Sequence, residues 1–319
     1  MSFTPQKWKG SAPAKINLFF EVLEKRSDHF HDVFSVCGLI SLQDTMVFLP
    51  KPSGSLHFSI ENGFRRPMET NRTLRTEIPV DETNLVMRAV RLVRETYQVK
   101  SSADITLTKR IPVQAGLGGG SSDAATAIML ANKAWKLGLS TTEMMSLGAE
   151  IGSDVPLFFV PGMSLGEGRG ERITPIRTEI PLDLVIVKPP EGIVTKEAFL
   201  RLDDVGIQVK KKNPDQLIHA LKTANIRRIA AGLFNRLETA ARTMCPKLEV
   251  IKSALAKRDC LGVMMTGSGT ACFGICRNHR HACHVAAGLY SLQLGDVFVT
   301  QTLSFPLEQE RRMMPATTS

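Results

Sequence analysis

The chain has 319 residues, 43% of them hydrophobic and 22% charged, which is typical of a globular protein with apolar material for about two domains. No apolar run approaches the roughly 18 residues of a membrane span, and the N-terminal stretch lacks the apolar core of a secretory signal. The formal net charge of +9 favours anionic partners, but the basic residues are scattered, so charge gives little support to nucleic-acid binding. We therefore expect a cytoplasmic protein without a membrane partner.

Hydrophobic periodicity predicts the elements of the first half of the chain. Strands are expected, in chain order, at 11–23, 33–40, 45–49, 103–108 and 157–160. Helices are expected over 81–97, between a glycine-rich segment and Gly138, and between Ser140 and Gly152. Ser140 and Glu143 form a capping-box signature at the start of the last of these helices. The polar stretch 61–80 is expected to be a surface excursion, and 162–170 a glycine-rich turn.

A second set of elements begins at 182–187, so we place a domain boundary near residue 178. Strands are also expected at 262–266 and 272–276, joined by the loop 267–270, and the residues 311–319 are expected to be a disordered tail. Two mixed halves, 1–178 and 179–319, favour an α+β fold over a doubly wound parallel sheet.

The six cysteines are expected to be free thiols, because the chain shows no sign of a secreted disulfide framework. Cys272 and Cys276 alternate with Phe273 and Ile275, which is typical of a buried strand. A zinc site between Cys272 and His284 is the alternative, but the spacing matches no paired ligand knuckle. The pattern favours the buried strand.

The most informative segment is Ile111-Pro-Val-Gln-Ala-Gly-Leu-Gly-Gly-Gly-Ser-Ser, which leads into the second predicted helix. Glycines let backbone N–H groups approach an anion, and the start of a helix adds unpaired donors and partial positive charge. The segment is not a Walker A loop, since no Gly-Lys-Ser/Thr follows, nor is it a dinucleotide fingerprint. It predicts a phosphate cradle.

Three segments, in this order along the chain, resemble the superfamily of galactokinase, homoserine kinase, mevalonate kinase and phosphomevalonate kinase. They are Pro13-Ala-Lys-Ile-Asn-Leu, Pro112-Val-Gln-Ala-Gly-Leu-Gly-Gly-Gly-Ser-Ser-Asp, and Thr266-Gly-Ser-Gly-Thr-Ala. The resemblance implies a two-domain GHMP kinase fold, with a first domain similar to the second domain of ribosomal protein S5 and a ferredoxin-like second domain. Further segments, such as Ile151-Gly-Ser-Asp-Val-Pro, are similar to those kinases of the superfamily that act in the non-mevalonate isoprenoid route. Those kinases phosphorylate the 2-hydroxyl of 4-diphosphocytidyl-2-C-methyl-D-erythritol.

The resemblance also implies roles for individual residues. Asp154 matches the family's catalytic acid and Lys15 its lysine partner; Asp154 would take the proton of the acceptor hydroxyl, and Lys15 would favour the ionised Asp154. The ATP site implied is Pro112, Gly116, Gly118, Gly119, Gly120, Ser121 and Ser122. The acceptor site implied is Asn17, Phe30, His31, Thr195, Phe199, Gly267 and Ser268. Mg²⁺ is expected with ATP, but the sequence identifies no ligands for it.

The chain departs from the family pattern in two places. It has Asp28-His29-Phe30-His31 where Asp-Gly-Tyr-His is usual, so Phe30 can stack on a base but lacks a hydroxyl. It has Asn235-Arg236-Leu237-Glu238 where Asn-Asp-Leu-Glu is usual. Both changes concern the acceptor, so a kinase of the homoserine or mevalonate type is the alternative. A nucleic-acid-binding protein on an S5-like fold is the third hypothesis, in which Lys15 and Asp154 have no role.

Overall fold

The structure, a computed structural model, describes residues 6–28, 30–63, 78–178, 180–205, 211–304 and 313–315. These residues form two β-sheets with helices packed against them. Within them, no helix combines the length and apolarity needed to cross a membrane.

The first sheet is built mainly from the first half of the chain. Its strands are β1 (Trp8–Lys25), β2 (His31–Lys51), β3 (His57–Asn62), β4 (Ser102–Lys109), β5 (Met163–Glu167), β6 (Arg172–Ile176), β8 (Phe234–Asn235) and β12 (Met313–Pro315). The main path runs β12-β1-β2-β4-β3, with β5 paired to β2 and β6, and β8 paired in parallel to β1. Both faces of β1 are buried along most of its length, so its polar residues must find partners inside the protein.

The second sheet has strands β7 (Asp183–Lys188), β9 (Gly262–Met265), β10 (Cys272–Cys276) and β11 (Asp296–Gln301). All its pairs are antiparallel, in the spatial order β11-β7-β10-β9. Numbered within this sheet alone, that order is 4-1-3-2, and helices connect the first to the second and the third to the fourth strand. This is the ferredoxin-like arrangement, and the predicted α+β class is confirmed.

The helices carry the apolar faces that build the cores. They are α1 (Leu85–Thr96), α2 (Gly119–Ala134), α3 (Thr141–Ile151), α4 (Thr195–Val205), α5 (Asp215–Lys222), α6 (Ile226–Ala231), α7 (Glu238–Met244), α8 (Lys247–Ala256) and α9 (His279–Tyr290). Helix α2 packs on the first sheet and α1 and α3 pack against α2, in a core where Phe48 and Ile128 are fully buried; α8 and α9 pack on the second sheet. A third core joins the two sheets through Ile16, Ile186 and Phe273.

Most predicted elements are present, but four expectations were wrong. Segments 33–40 and 45–49 form the single strand β2, and part of 162–170 is strand β5, which pairs with β2. Pro156–Phe159 is a 3₁₀ helix rather than a strand, because Pro156 supplies a fixed φ at its first position and no N–H is lost there. Within the expected disordered tail, Met313–Pro315 pairs with β1; residues 311–312 and 316–319 lie outside the described part.

The capping box of α3 is confirmed, since the Ser140 backbone N–H donates to Glu143 (2.8 Å) and the Glu143 N–H donates to the Ser140 hydroxyl (3.2 Å). Cys272 and Cys276 are fully buried in β10, as the alternation predicted. The boundary near residue 178 falls between β6 and β7 and stays a prediction, because β8 and β12 from the second half complete the first sheet. Most of the predicted 61–80 excursion, residues 64–77, lies outside the described residues.

Candidate active site

The glycine-rich segment ends in an open helix N-terminus. Helix α2 is capped by Gly118 in a left-handed conformation (φ 68°), which has no side chain to satisfy the first N–H groups. The first helical hydrogen bond runs from the Ser122 N–H to the Gly118 carbonyl (2.9 Å), so the N–H groups of Gly119, Gly120 and Ser121 have no helical acceptor. Three such donors and the helix dipole make this end of α2 a site for an anion.

The predicted loop at 267–270 lies directly against the glycine-rich segment. The Ala271 N–H donates to the Ala115 carbonyl (3.1 Å), and Gly116 has a φ of 73°. A Cβ on Gly116 would lie 2.1 Å from the Thr266 carbonyl oxygen and 3.0 Å from the Gly269 nitrogen. Only glycine therefore allows the phosphate cradle of the first domain to contact the Thr266–Thr270 turn of the second.

Lys15 and Asn17 sit on β1 at this junction, and both are almost completely buried. The Lys15 ammonium donates to the Asn17 side-chain oxygen (2.5 Å), and the Asn17 amide donates to the Ser35 hydroxyl (2.7 Å). The backbone N–H of Asn17 donates to the Thr266 hydroxyl (3.0 Å), which ties this pair to the second domain. Lys15 and Asn17, two positions apart on β1, thus share one face of the strand, with the two side chains in direct contact.

Asp154 lies in the turn between α3 and the 3₁₀ helix and is exposed. A Cβ built on Gly170 would be 3.9 Å from its Oδ1, so the β5–β6 turn borders it. Burial raises the pKa of the Cys37 thiol, the Lys15 charge acts to lower it, and the Asp154 charge acts to raise it. The described residues show no direct ion pair between Lys15 and Asp154, and the Lys15 ammonium bonds to Asn17 instead. The catalytic roles of both stay predictions.

His31 and Phe199 form a stacked pair, with ring centroids 5.4 Å apart and an angle of 22° between the planes. His31 is buried, and its Nε2 lies 2.9 Å from Asp203 Oδ1, while Lys25 bonds the other Asp203 oxygen (2.6 Å). Phe30 is half exposed beside them. The structure thus stacks two of the residues implied for the acceptor site, His31 and Phe199, while Phe30, the residue before His31, lies against Arg169.

Helix α4 connects this aromatic group to the Thr266–Thr270 turn. Thr195, Phe199 and Asp203 are spaced by four residues and so share one face of the helix. The Thr195 hydroxyl is 2.9 Å from the Ser268 hydroxyl. At the other end of the turn, the Glu191 carbonyl accepts from Thr270 (2.5 Å) and from the buried Lys188 ammonium (2.8 Å).

A buried charge cluster lies beneath the phosphate cradle. The Lys109 ammonium bonds to Asp44 and to Asp123 (2.7 Å), and all three side chains are at least 95% buried. Asp44 also accepts from the Ile111 N–H (2.8 Å), which fixes the start of the glycine-rich segment. Burial and the Asp44 charge raise the pKa of Asp123, and Lys109 opposes them. The cluster holds β4, β2 and the first turn of α2 together.

The chain resembles known kinases over most of its length. The family model described as "GHMP kinases N terminal domain" matches residues 84–162, and "GHMP kinases C terminal" matches 217–292. The chain is 38% identical to the 4-diphosphocytidyl-2-C-methyl-D-erythritol kinase of Pelotomaculum thermopropionicum, over 92% of this chain and 97% of that protein. It is 37% identical to the kinase of the same name from Geobacillus thermodenitrificans, over 87% and 91% of the two chains.

The chain belongs to the 4-diphosphocytidyl-2-C-methyl-D-erythritol kinase family of GHMP kinases.

Solved structures agree with this assignment. A crystal structure of a 4-(cytidine 5'-diphospho)-2C-methyl-D-erythritol kinase, 28% identical, superposes with a TM-score of 0.75 and covers 93% of this chain and 100% of its own. A mevalonate kinase from L. major, 15% identical with a TM-score of 0.72 over 93% and 96% of the two chains, shows the shared GHMP fold. The predicted two-domain GHMP kinase fold is confirmed.

Sequence reasoning missed three groups that position this kinase site. Asp203 was missed because its partner His31 is 172 positions away in the sequence. Asp44 was missed because Lys109, with which it forms an ion pair, lies on another strand. The Asn235 amide donates to the carbonyls of Met265 (2.9 Å) and Gly267 (2.8 Å), so it holds the Thr266–Thr270 turn. Asn235 is the asparagine that this chain keeps in the Asn-Asp-Leu-Glu pattern of the family, and that was the available signal.

Proposed function

We propose that this kinase transfers the γ-phosphoryl group of ATP to the 2-hydroxyl of 4-diphosphocytidyl-2-C-methyl-D-erythritol, the acceptor in its relatives' names. The observation that carries the proposal is the meeting of an open helix N-terminus, the Lys15–Asn17 pair and the Thr266–Thr270 turn at one domain junction. A phosphate site and an acceptor site are thereby adjacent.

The phosphates of ATP bind at the start of α2. The unpaired N–H groups of Gly119, Gly120 and Ser121 are charge-assisted donors, and Gly118 brings the backbone close to the anion. Gly116 and Pro112 set the path of the loop before it. Phosphoryl transfer depends mainly on alignment and neutralisation of charge, which is what a rigid row of backbone donors supplies.

Asp154 accepts or orients the proton of the acceptor hydroxyl. The Asp154 side chain is exposed in the part of the chain that the structure describes, which leaves room for an acceptor beside the β5–β6 turn. Lys15, which is held in place by Asn17, adds positive charge that favours the ionised carboxylate and the developing alkoxide. A positioned base of this kind contributes about 10²- to 10⁴-fold in rate.

Magnesium would accompany the ATP. The described residues contain no group of three His, Cys, Asp or Glu side chains suited to bind a metal. The Ser122 hydroxyl, however, is buried at the base of the cradle with no described hydrogen-bond partner. One protein hydroxyl together with phosphate oxygens and water suits Mg²⁺, which when bound neutralises charge on the phosphates.

The acceptor extends from Asp154 towards the aromatic group. Phe30, His31 and Phe199 offer ring faces and a polar edge for cytosine. Asn17, Thr195, Gly267 and Ser268 line the side next to the phosphates. A kinase of the homoserine or mevalonate type is the alternative, because kinases with those names share the fold at 18% and 15% identity.

ADP release should be measured with 4-diphosphocytidyl-2-C-methylerythritol, methylerythritol 4-phosphate, homoserine and mevalonate as acceptors. Turnover is expected with the cytidylated acceptor only, and Asp154→Asn should lower kcat by about 10²- to 10⁴-fold without loss of ATP binding. Asp259→Asn, an exposed turn aspartate in the second domain, is the matched control. Turnover with a different acceptor would overturn the substrate assignment, and an unchanged kcat in Asp154→Asn would remove its catalytic role.

A further inference from the structure

The turn between β5 and β6 carries an arginine that no role so far explains. The Gly168 carbonyl accepts from the Val33 N–H (2.7 Å), so the turn is fastened to β2 just after His31. The Glu171 carboxylate accepts from the Arg169 N–H (2.6 Å) and closes the turn on itself. These two bonds fix the Arg169 backbone beside the proposed acceptor site.

Arg169 lies between the two ends of that site. Its guanidinium is 5.2 Å from the centre of the Phe30 ring, which belongs to the base-recognition group. The next residue, Gly170, borders Asp154, since a Cβ there would be 3.9 Å from Asp154 Oδ1. One turn therefore contacts Phe30 of the proposed base site and borders the proposed proton acceptor.

The Arg169 guanidinium has an electrostatic partner among the described residues: burial acts to raise the pKa of Asp28, and the Arg169 charge, together with Arg26 and the Phe30 N–H, lowers it. In the part of the chain that the structure describes, the Arg169 guanidinium forms no ion pair within 4 Å, and its ring contact with Phe30 leaves its N–H groups unassigned. The carboxylates of Asp28 and Asp32, which lie on either side of Phe30, are instead bonded by Arg26 (3.2 and 2.9 Å). Arg169 is thus a partly buried cation, oriented by stacking, with its planar row of donors available.

We propose that Arg169 binds the diphosphate of the acceptor, an inference that rests on the proposed function. In a cytidylated acceptor the diphosphate joins the base to the polyol that carries the reacting hydroxyl. A cation that lies between the base site and Asp154 occupies the position that this linkage must cross. Arginine suits the task, because its planar donors can bond two phosphate oxygens at once. Arg169 thereby discriminates a nucleoside diphosphate from an uncharged nucleoside.

Binding of CDP and of cytidine should be measured by calorimetry, with a saturating non-hydrolysable ATP analogue present to fill the donor site. We expect Arg169→Gln to weaken CDP binding by roughly 10- to 100-fold, the range for loss of a hydrogen bond to a charged group, and to leave cytidine binding unchanged. Arg169→Lys should lie between, because it keeps the charge but loses the planar donors. Arg172→Gln, an exposed arginine on the same hairpin, is the matched control and should change neither affinity.

Two results would overturn the inference alone: unchanged CDP affinity in Arg169→Gln, or equal weakening of CDP and cytidine, which would mean that Arg169 only supports Phe30. Failure of the proposed function looks different. The wild-type protein would then bind neither CDP nor cytidine and would not turn over the cytidylated acceptor, and the inference would fall with it.

Discussion

Two glycines of the phosphate cradle should respond in opposite directions to the same substitution. Gly116 has a φ of 73° and faces the Thr266 carbonyl across the domain junction, where a Cβ would come within 2.1 Å of the oxygen. Gly120 lies in the first turn of α2 with helical geometry, and a Cβ there meets only the Leu85 side chain at 3.6 Å. Gly116→Ala should therefore strain the junction, whereas Gly120→Ala should fit.

The magnitudes follow from two separate effects. An L-residue in the left-handed region costs about 1–2 kcal/mol, and forcing a methyl group into packed surroundings costs about 1–3 kcal/mol more. Gly116→Ala should therefore lower the free energy of unfolding by about 2–5 kcal/mol. If the two domains separate by about 1 Å to relieve the contact, kcat/KM should fall by about 10²-fold. Gly120→Ala should raise the free energy of unfolding by about 0.5–1 kcal/mol, because glycine loses more backbone entropy in a helix than alanine.

Urea denaturation followed by far-UV circular dichroism gives the free energy of unfolding of both variants against wild type, and steady-state ADP release gives kcat/KM. A Gly116→Ala protein within 1 kcal/mol of wild type would refute the reasoning, since it would mean that the junction can open at no cost. So would a Gly120→Ala protein that is destabilised as much as Gly116→Ala.

Two further predictions concern buried lysines. Lys109→Met leaves Asp44 and Asp123 buried without a cation and should lower the free energy of unfolding, measured with urea, by about 3–5 kcal/mol. The control Lys51→Met removes a half-exposed ion pair with Asp104 and should lower it by less than about 1 kcal/mol. Equal losses in the two variants would contradict the role of burial. Burial lowers the pKa of the Lys188 ammonium from 10.5 to about 8. Between pH 8 and 10.5 the unfolded chain therefore keeps a proton on Lys188 that the folded protein has lost. The free energy of unfolding of the wild type should rise with pH across that window, relative to Lys188→Met. The expected slope is on the order of 1 kcal/mol per pH unit, measured by denaturation at pH 8 to 10, and a flat difference would show that Lys188 keeps its ordinary pKa.

The local signals in the sequence were strong where a single stretch of chain decides the structure. The capping box at Ser140 and Glu143 has both of its hydrogen-bonding partners within four residues, so the sequence alone predicted it. The glycines that open α2 predicted a phosphate site because the required conformations and free N–H groups belong to the same segment. By contrast, the run 157–160 was apolar enough for a strand, and only the lack of a place in either sheet and the proline at position 156 made it a 3₁₀ helix.

The candidate site was predictable only in part. Motifs placed Lys15, His31 and Thr195 in it, but their partners depend on which surfaces meet. Asp203 contacts His31 from a helix in the second domain, and Arg169 contacts Phe30 from a hairpin whose first strand the sequence predicts as part of a turn. Such contacts join residues far apart in sequence, and no periodicity marks them.

The sequence by itself determined the α+β class and the kinase family and predicted a phosphate cradle at the start of α2, because short motifs and hydrophobic periodicity reflect local backbone geometry. The tertiary structure alone decided how the cradle, the Thr266–Thr270 turn and the aromatic group come together. That arrangement is set by the packing of two sheets through a shared core and by the close backbone contact at Gly116, and packing between distant segments leaves no local pattern in a single chain.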